Sequence, residues 1–297
     1  CVLHQADAQD IREWKDINYA GDTLTGHRMD IYLPAEGNGP FPVIVTMAGS
    51  GWTKNNKKDW AYNSNILGKD LHANGFAIVA VDHRSSSEAI FPAQINDIKA
   101  VVRFIRGNAE KYRFDTRFIG ITGNSSGGHL ASLMGTSGGV GSYTIGSVTL
   151  DIEGKVGDFK DQSSHVDAVV SWRGPSDFLV MDSCGSRMVH DAPDSRESML
   201  VGGPIQENKD LCALANPITY IGKNDPAFLI FHGEDDTSVP PCQAEILHEA
   251  LRSKGVQSRL VIMPESGHVY IKRPDRSEYI NEMISFFSGE YAKKSAE

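Results

Sequence analysis

Seven short apolar runs rich in β-branched residues punctuate the chain, at 29–33, 42–47, 76–81, 118–122, 166–172, 227–232 and 259–263. Their hydrophobic residues are continuous rather than alternating with polar ones. That is the pattern of strands buried on both faces, as in a parallel sheet. Between the runs the period becomes helical. Over 91–112, Ile95, Ile98, Val101, Val102, Ile105 and Ala109 form one apolar stripe. Lys99, Arg103, Arg106 and Glu110 fall on the opposite side and are expected to face water. Further helices are predicted at 63–74, 126–134, 241–254 and 277–291. Alternating strand and helix specify an α/β fold, a mostly parallel central sheet flanked by crossover helices. The opening pair, 14–19 and 29–33, reads as an antiparallel hairpin at the sheet edge.

Two stretches break the rhythm. Residues 135–165 are rich in Gly, Ser and Asp, and 176–217 are again irregular. Loops of that length in a compact domain commonly serve as lids or binding loops. Both follow strand ends that would carry a site, so both are expected on the substrate side. With 297 residues, 40% of them hydrophobic, the chain can bury one core, and a single domain over 1–297 is expected.

The net charge of -9 argues against nucleic acid as a partner, because phosphates would be repelled. The short basic stretch at 54–58 reads as a solvated loop. No G-x-G-x-x-G element or histidine cluster calls for an organic cofactor or a metal. The cysteines, Cys1, Cys184, Cys212 and Cys242, lack the close spacing of a zinc or redox site. The sequence opens on Cys1, as a lipoprotein does after signal cleavage, when that cysteine carries the lipid. An exported protein, periplasmic or anchored at the outer membrane, is therefore expected, with a cytoplasmic one as the alternative. If exported, Cys184 and Cys212 are the first disulfide pair to test, since both sit in one insertion.

The candidate chemistry centres on Gly123-Asn124-Ser125-Ser126-Gly127. An apolar strand runs into this G-x-S-x-G motif and an amphipathic helix follows at once, the setting that makes the motif informative. Such an elbow holds its serine in a strained conformation, and the flanking glycines let neighbouring backbone pass closely. The glycine spacing centres on Ser125 rather than Ser126. A serine hydroxyl needs an adjacent base oriented by a third group. In this arrangement the chain order is Ser, acid, His. The run 227–232 exits into an acidic loop containing Glu234, Asp235 and Asp236, and the run 259–263 exits into a loop ending at His268. Of the ten histidines, only His268 has that order, a strand exit and a preceding glycine. His232 is expected to pack or hydrogen-bond beneath the acid loop, and His129 to make a structural hydrogen bond. His4, His27, His72, His83, His165, His190 and His248 are expected at the surface or in loops.

Beyond the elbow, nearly the whole chain resembles the α/β-hydrolase esterases of the carbohydrate-esterase and feruloyl-esterase type found in gut Bacteroidetes. The likeness rests on the strand DIYLP at 30–34, FPAQINDIKA at 91–100, and GNSSGGHLA around Ser125. It continues through WRGPSD at 172–177, ANPIT at 215–219 and HGEDDTSVP at 232–240. The resemblance implies Asp236 as the acid, the position three after the glycine in H-G-x-x-D-x-x-V-P, with Asp235 as the alternative. It also implies that the loop 48–52 lends backbone amides to an oxyanion hole. Here Ala48 and Ser50 replace the His and middle Gly of the usual H-G-G-G-W, so Ser50 must tolerate the required backbone angles. The expected donors are Ser50 or Gly51 and Ser126.

The resemblance further implies acyl transfer from an acetylated or feruloylated plant polysaccharide such as xylan, through an acyl-enzyme and without a cofactor. Trp52 and Trp172 are the aromatic rings expected to stack on the sugar. Two alternatives stay open within the fold, a serine peptidase and a general small-ester esterase or lipase. A catalytically dead binding protein is the non-enzyme alternative.

Overall fold

The computed structural model describes residues 12–272 and 276–296. Cys1, with the lipid anchor expected there, and His4 lie outside the described residues. Eight strands form the main sheet. They are β1 (Glu13–Asn18), β2 (Arg28–Tyr32), β3 (Phe41–Met47), β4 (Ala77–Val81), β5 (Phe114–Asn124), β8 (Ala168–Trp172), β9 (Ala227–Gly233) and β10 (Ser258–Met263). The short strands β6 (Ser142–Ile145) and β7 (Val148–Asp151) make a separate hairpin. The sheet order is β1-β2-β4-β3-β5-β8-β9-β10. Pairing is antiparallel at β1–β2 and β2–β4 and parallel from β4 onward. The mostly parallel sheet with an antiparallel N-terminal edge is what the hydrophobic pattern predicts, and the α/β-hydrolase fold it makes is the one the resemblance implies.

The helices are α1 (Lys58–Asn63), α2 (Lys69–Ala73), α3 (Ala93–Gly107), α4 (Ser126–Thr136), α5 (Arg196–Val201), α6 (Lys209–Ala215), α7 (Cys242–Ser253) and α8 (Arg276–Ala296). All seven residues of β3 are buried. Val43, Val45 and Met47 belong to the core cluster that includes residues of α3, α4 and α7, whereas Ile44 belongs to the separate cluster that includes residues of α1, α2 and α8. Covering both faces is why the strand is apolar at every position. A fully buried side chain such as Phe287 of α8 contributes roughly 2 kcal/mol through this burial.

Four departures from the sequence expectations have physical causes. The helix expected at 63–74 forms only over Lys69–Ala73, as α2, because α1 has already ended at Asn63, where the chain turns extended at Ser64, whose N–H closes onto Trp60 O. Lys99 and Arg103, expected to face water, are buried. The segment after β7 folds over α3, and Glu153 lies 3.0 Å from Lys99 and pairs with Arg103. His27, His83 and His190, expected at the surface or in loops, are buried with polar partners, although His83 and His190 do lie in loops; His27 Nε2, for example, lies 3.2 Å from Asp97. Cys184 bonds to Cys242 at the start of α7, not to Cys212, which is a buried free thiol. Proximity in the insertion did not decide that pairing. A Cα separation of 6.2 Å between Cys184 and Cys242 did.

Candidate active site

Ser125 sits at the junction of β5 and α4 with φ 54° and ψ -122°, a left-handed conformation that costs a non-glycine residue energy. The two glycines make that turn possible. A Cβ on Gly123 would lie 2.3 Å from Gly127 O, and one on Gly127 would lie 2.5 Å from Met47 O. The Ser125 N–H donates to Trp172 O at 2.8 Å, tying the elbow to β8. The turn lifts the hydroxyl above the carboxyl end of the sheet, where ligands of open α/β sheets bind. It also sets the hydroxyl at the positive end of α4.

His268 and Asp236 arrive from the ends of β10 and β9. Ser125 Oγ lies 2.9 Å from His268 Nε2, and His268 Nδ1 lies 2.7 Å from Asp236 Oδ2. Asp236 is buried, whereas Asp235 is exposed. The other Asp236 oxygen accepts the N–H groups of Ser238 and Val239 at 3.0 and 2.9 Å. Burial pushes the Asp236 carboxyl up, but hydrogen bonding by His232 and His268 outweighs it and holds the group well below the usual carboxylate range. His232 lies beneath this loop, its Nε2 2.8 Å from Val239 O, and His129 Nε2 lies 2.8 Å from Ala215 O. The His268 loop is anchored from two sides. Arg173 Nη1 donates to Gly267 O at 3.0 Å, and the Asp235 N–H donates to Ser266 O at 2.9 Å.

The loop after β3 is clipped to the elbow. The Gly49 N–H donates to Asn124 Oδ1 at 2.9 Å and the Ser50 N–H to Ser126 Oγ at 2.8 Å. The left-handed angles fall on Gly51 and Trp52, so Ser50 carries none of that strain. The Ser50 amide, expected as an oxyanion donor, is thus already engaged. Gly51 lines both cavities beside Ser125, and the Ser126 N–H opens α4, where no intrahelical acceptor exists.

Those cavities differ greatly in size. The larger, of about 630 Å³, is the size of a small-molecule site. The smaller, of about 20 Å³, lies between Ser125, His268, Trp52, Met188 and His190. Neither tryptophan named from the sequence offers a face to a sugar. Trp52 is 1% exposed and packs on His129 and Phe178, with ring centres 5.1 and 5.6 Å away. Trp172 is 0% exposed and stacks on Phe231 at 4.0 Å. The aromatic residues at the mouth of the larger cavity are instead Trp60, 46% exposed, and Tyr270, 52% exposed. Trp60 follows the stretch expected as a plain solvated loop, which brings Lys54 and Lys57 to the cavity wall. An aromatic residue just behind that basic stretch was the available signal.

Of the two irregular stretches, only 176–217 reaches these cavities, through Met188, His190, Arg196 and Glu197. Residues 135–165, also expected there, contribute no lining residue. Their segment is spent on covering α3 and on the hairpin, where Tyr143 packs on Tyr220. Among the described residues no group of three His, Cys, Asp or Glu side chains could hold a metal ion.

A solved bifunctional GH43-CE protein of Bacteroides eggerthii is 49% identical, with a TM-score of 0.87, over 94% of this chain and 38% of that one. A truncated carbohydrate esterase from gut microbiota is 40% identical, also with a TM-score of 0.87, over 95% of this chain and 98% of that one. Esterase LipQ of Mycobacterium tuberculosis is 28% identical over 84% of this chain and 55% of its own length. The chain spans about half the length of the curated relatives it matches. The BD-FAE family pattern matches residues 29–251, three quarters of the sequence, and the chain belongs to the BD-FAE family.

Proposed function

We propose that the chain is a serine carboxylic-ester hydrolase that removes acetyl groups from a plant polysaccharide such as xylan. The observation that carries this reading is the unbroken chain from Ser125 Oγ through His268 to Asp236, at 2.9 and 2.7 Å. In this reading His268 takes the proton from Ser125 as the oxygen attacks the ester carbonyl. Asp236 holds the imidazole in the tautomer that leaves Nε2 free to accept. The Gly51 and Ser126 amides stabilise the oxyanion, at about 3 kcal/mol for each well-placed donor. His268 then returns its proton to the leaving sugar oxygen, and water releases the acyl group by the reverse path. The likeness to carbohydrate esterases supports a saccharide as the alcohol.

The size of the smaller cavity supports acetate over ferulate as the acyl group. About 20 Å³ accommodates a group of water or methyl size, not an aromatic acid. The sugar then occupies the larger cavity. Export fits the Cys184–Cys242 disulfide, since such bonds persist in oxidising compartments. The deciding experiment compares acetate release from acetylated xylo-oligosaccharide with ferulate release from methyl ferulate. Acetate release alone is expected. Faster release of ferulate would overturn the acyl assignment, and turnover of neither would overturn the carbohydrate-ester reading.

A further inference from the structure

We infer that the larger cavity receives a saccharide bearing a fixed negative charge near the ester, as a uronate carboxylate or a sulfate; this rests on the esterase reading above. Although the chain carries a net charge of -9, the described wall of this cavity holds five cationic side chains and no carboxylate. They are Lys54, Lys57, Arg173, Arg196 and Arg276. None of the five lies within ion-pair distance of a carboxylate among the described residues; Arg173 feels only the more distant charge of Asp236, and Arg196 that of Glu197 on the wall of the small cavity. The neighbouring Lys58 shows the contrast, lying 3.0 Å from Asp30 and 3.2 Å from Asp16. Arg173 is buried, donates to Gly267 O, and has an Nε with no hydrogen-bond partner.

Clustered charge of one sign in a concave, partly buried site raises the local concentration of an opposite charge. Arginine adds geometry, since its planar fork meets a carboxylate or sulfate through two parallel hydrogen bonds. Trp60 and Tyr270, exposed at the same mouth, offer apolar faces to a sugar ring. A neutral xylose chain would use the aromatic faces and leave the cations unmatched. An acidic substituent uses both.

The test compares three acetylated oligosaccharides: a glucuronic-acid-substituted xylo-oligosaccharide, its carboxyl-reduced derivative, and a sulfated xylo-oligosaccharide. At low salt the uronate substrate is expected to show a kcat/KM about ten-fold or more above its reduced form, the scale of one charge-assisted hydrogen bond. That advantage should shrink in about 0.5 M NaCl, as screening predicts. It should also shrink toward parity in the Arg196→Gln and Arg276→Gln variants. A gain for the sulfated substrate as well would mark a general anion site, and a gain for the uronate alone would mark a carboxylate site. Titrating the deacetylated uronate oligosaccharide and its reduced form into the Ser125→Ala variant reads the charge preference without turnover. Equal binding and equal turnover of acidic and reduced forms would overturn the inference. Failure of the native protein to hydrolyse 4-nitrophenyl acetate would overturn the esterase reading instead, while the titration still decides the charge preference.

Discussion

Ser126 Oγ accepts the N–H of Ser50 at 2.8 Å, so the residue after the elbow serine holds the loop that faces it. Because the bond uses the backbone of residue 50, its side chain is expendable while the Ser126 hydroxyl is not. A neutral hydrogen bond of this kind contributes about 1 kcal/mol. Ser126→Ala is expected to lower kcat/KM for 4-nitrophenyl acetate by roughly five- to ten-fold. Ser50→Ala should change it by less than about two-fold. The reverse ranking would show that the loop is held by something else.

The two neighbouring aspartates of the acid loop should separate cleanly. Asp236 is buried and 2.7 Å from His268 Nδ1, whereas Asp235 is exposed and contributes its backbone to the Ser266 turn. Asp236→Asn is expected to lower kcat by roughly 10³–10⁴-fold, because the amide favours the wrong imidazole tautomer. Asp235→Asn should leave kcat within a factor of about three. Comparable losses in both variants would contradict Asp236 as the acid.

His129 gives stability a pH dependence of known sign. Burial holds its folded pKa down at about 4, against 6.5 for the free side chain, opposed only in part by the bond to Ala215 O. Below pH 6.5 the unfolded chain binds a proton that the folded chain refuses until about pH 4. The contribution is thus complete above pH 6.5 and lost as the pH falls toward 4, by about 3 kcal/mol. Urea unfolding of the native protein and of His129→Gln at pH 7, 5.5 and 4 should show a shallower decline in the variant. Parallel curves would refute the assignment.

The Cys184–Cys242 bond closes a loop with a sequence separation of 58, linking the insertion that carries Met188 and His190 to the residues just after the acid loop. Replacing both cysteines with serine is expected to destabilise the protein by about 2–4 kcal/mol. The same change should loosen the wall of the small acyl-side cavity. Longer acyl chains, tested as 4-nitrophenyl butyrate against acetate, should then gain relative rate. An unchanged butyrate-to-acetate ratio would detach the disulfide from acyl selection.

The strands, the elbow at Ser125 and the strand exits that carry the acid loop and His268 were legible in the sequence because each depends on local pattern, whereas the choice of Asp236 over Asp235 came from the family resemblance. A run of β-branched residues, a glycine two positions either side of a serine, and a polar loop leaving a strand all act over a few residues. What lies opposite a side chain is set by segments far away in the chain, and no period encodes it. The stripe on α3 was read correctly, yet Lys99 and Arg103 are buried because Glu153, fifty residues on, folds over them. Trp52 stands in the loop after β3 and Trp172 ends β8, but His129, Phe178 and Phe231 occupy their faces, leaving Trp60 and Tyr270 to meet solvent. Cys184 found Cys242 through the packing of the insertion on α7. The sequence by itself determined which residues stand at the ends of which strands. Only the tertiary structure decided which faces stayed open, because burial and charge pairing are properties of contacts between distant parts of the chain.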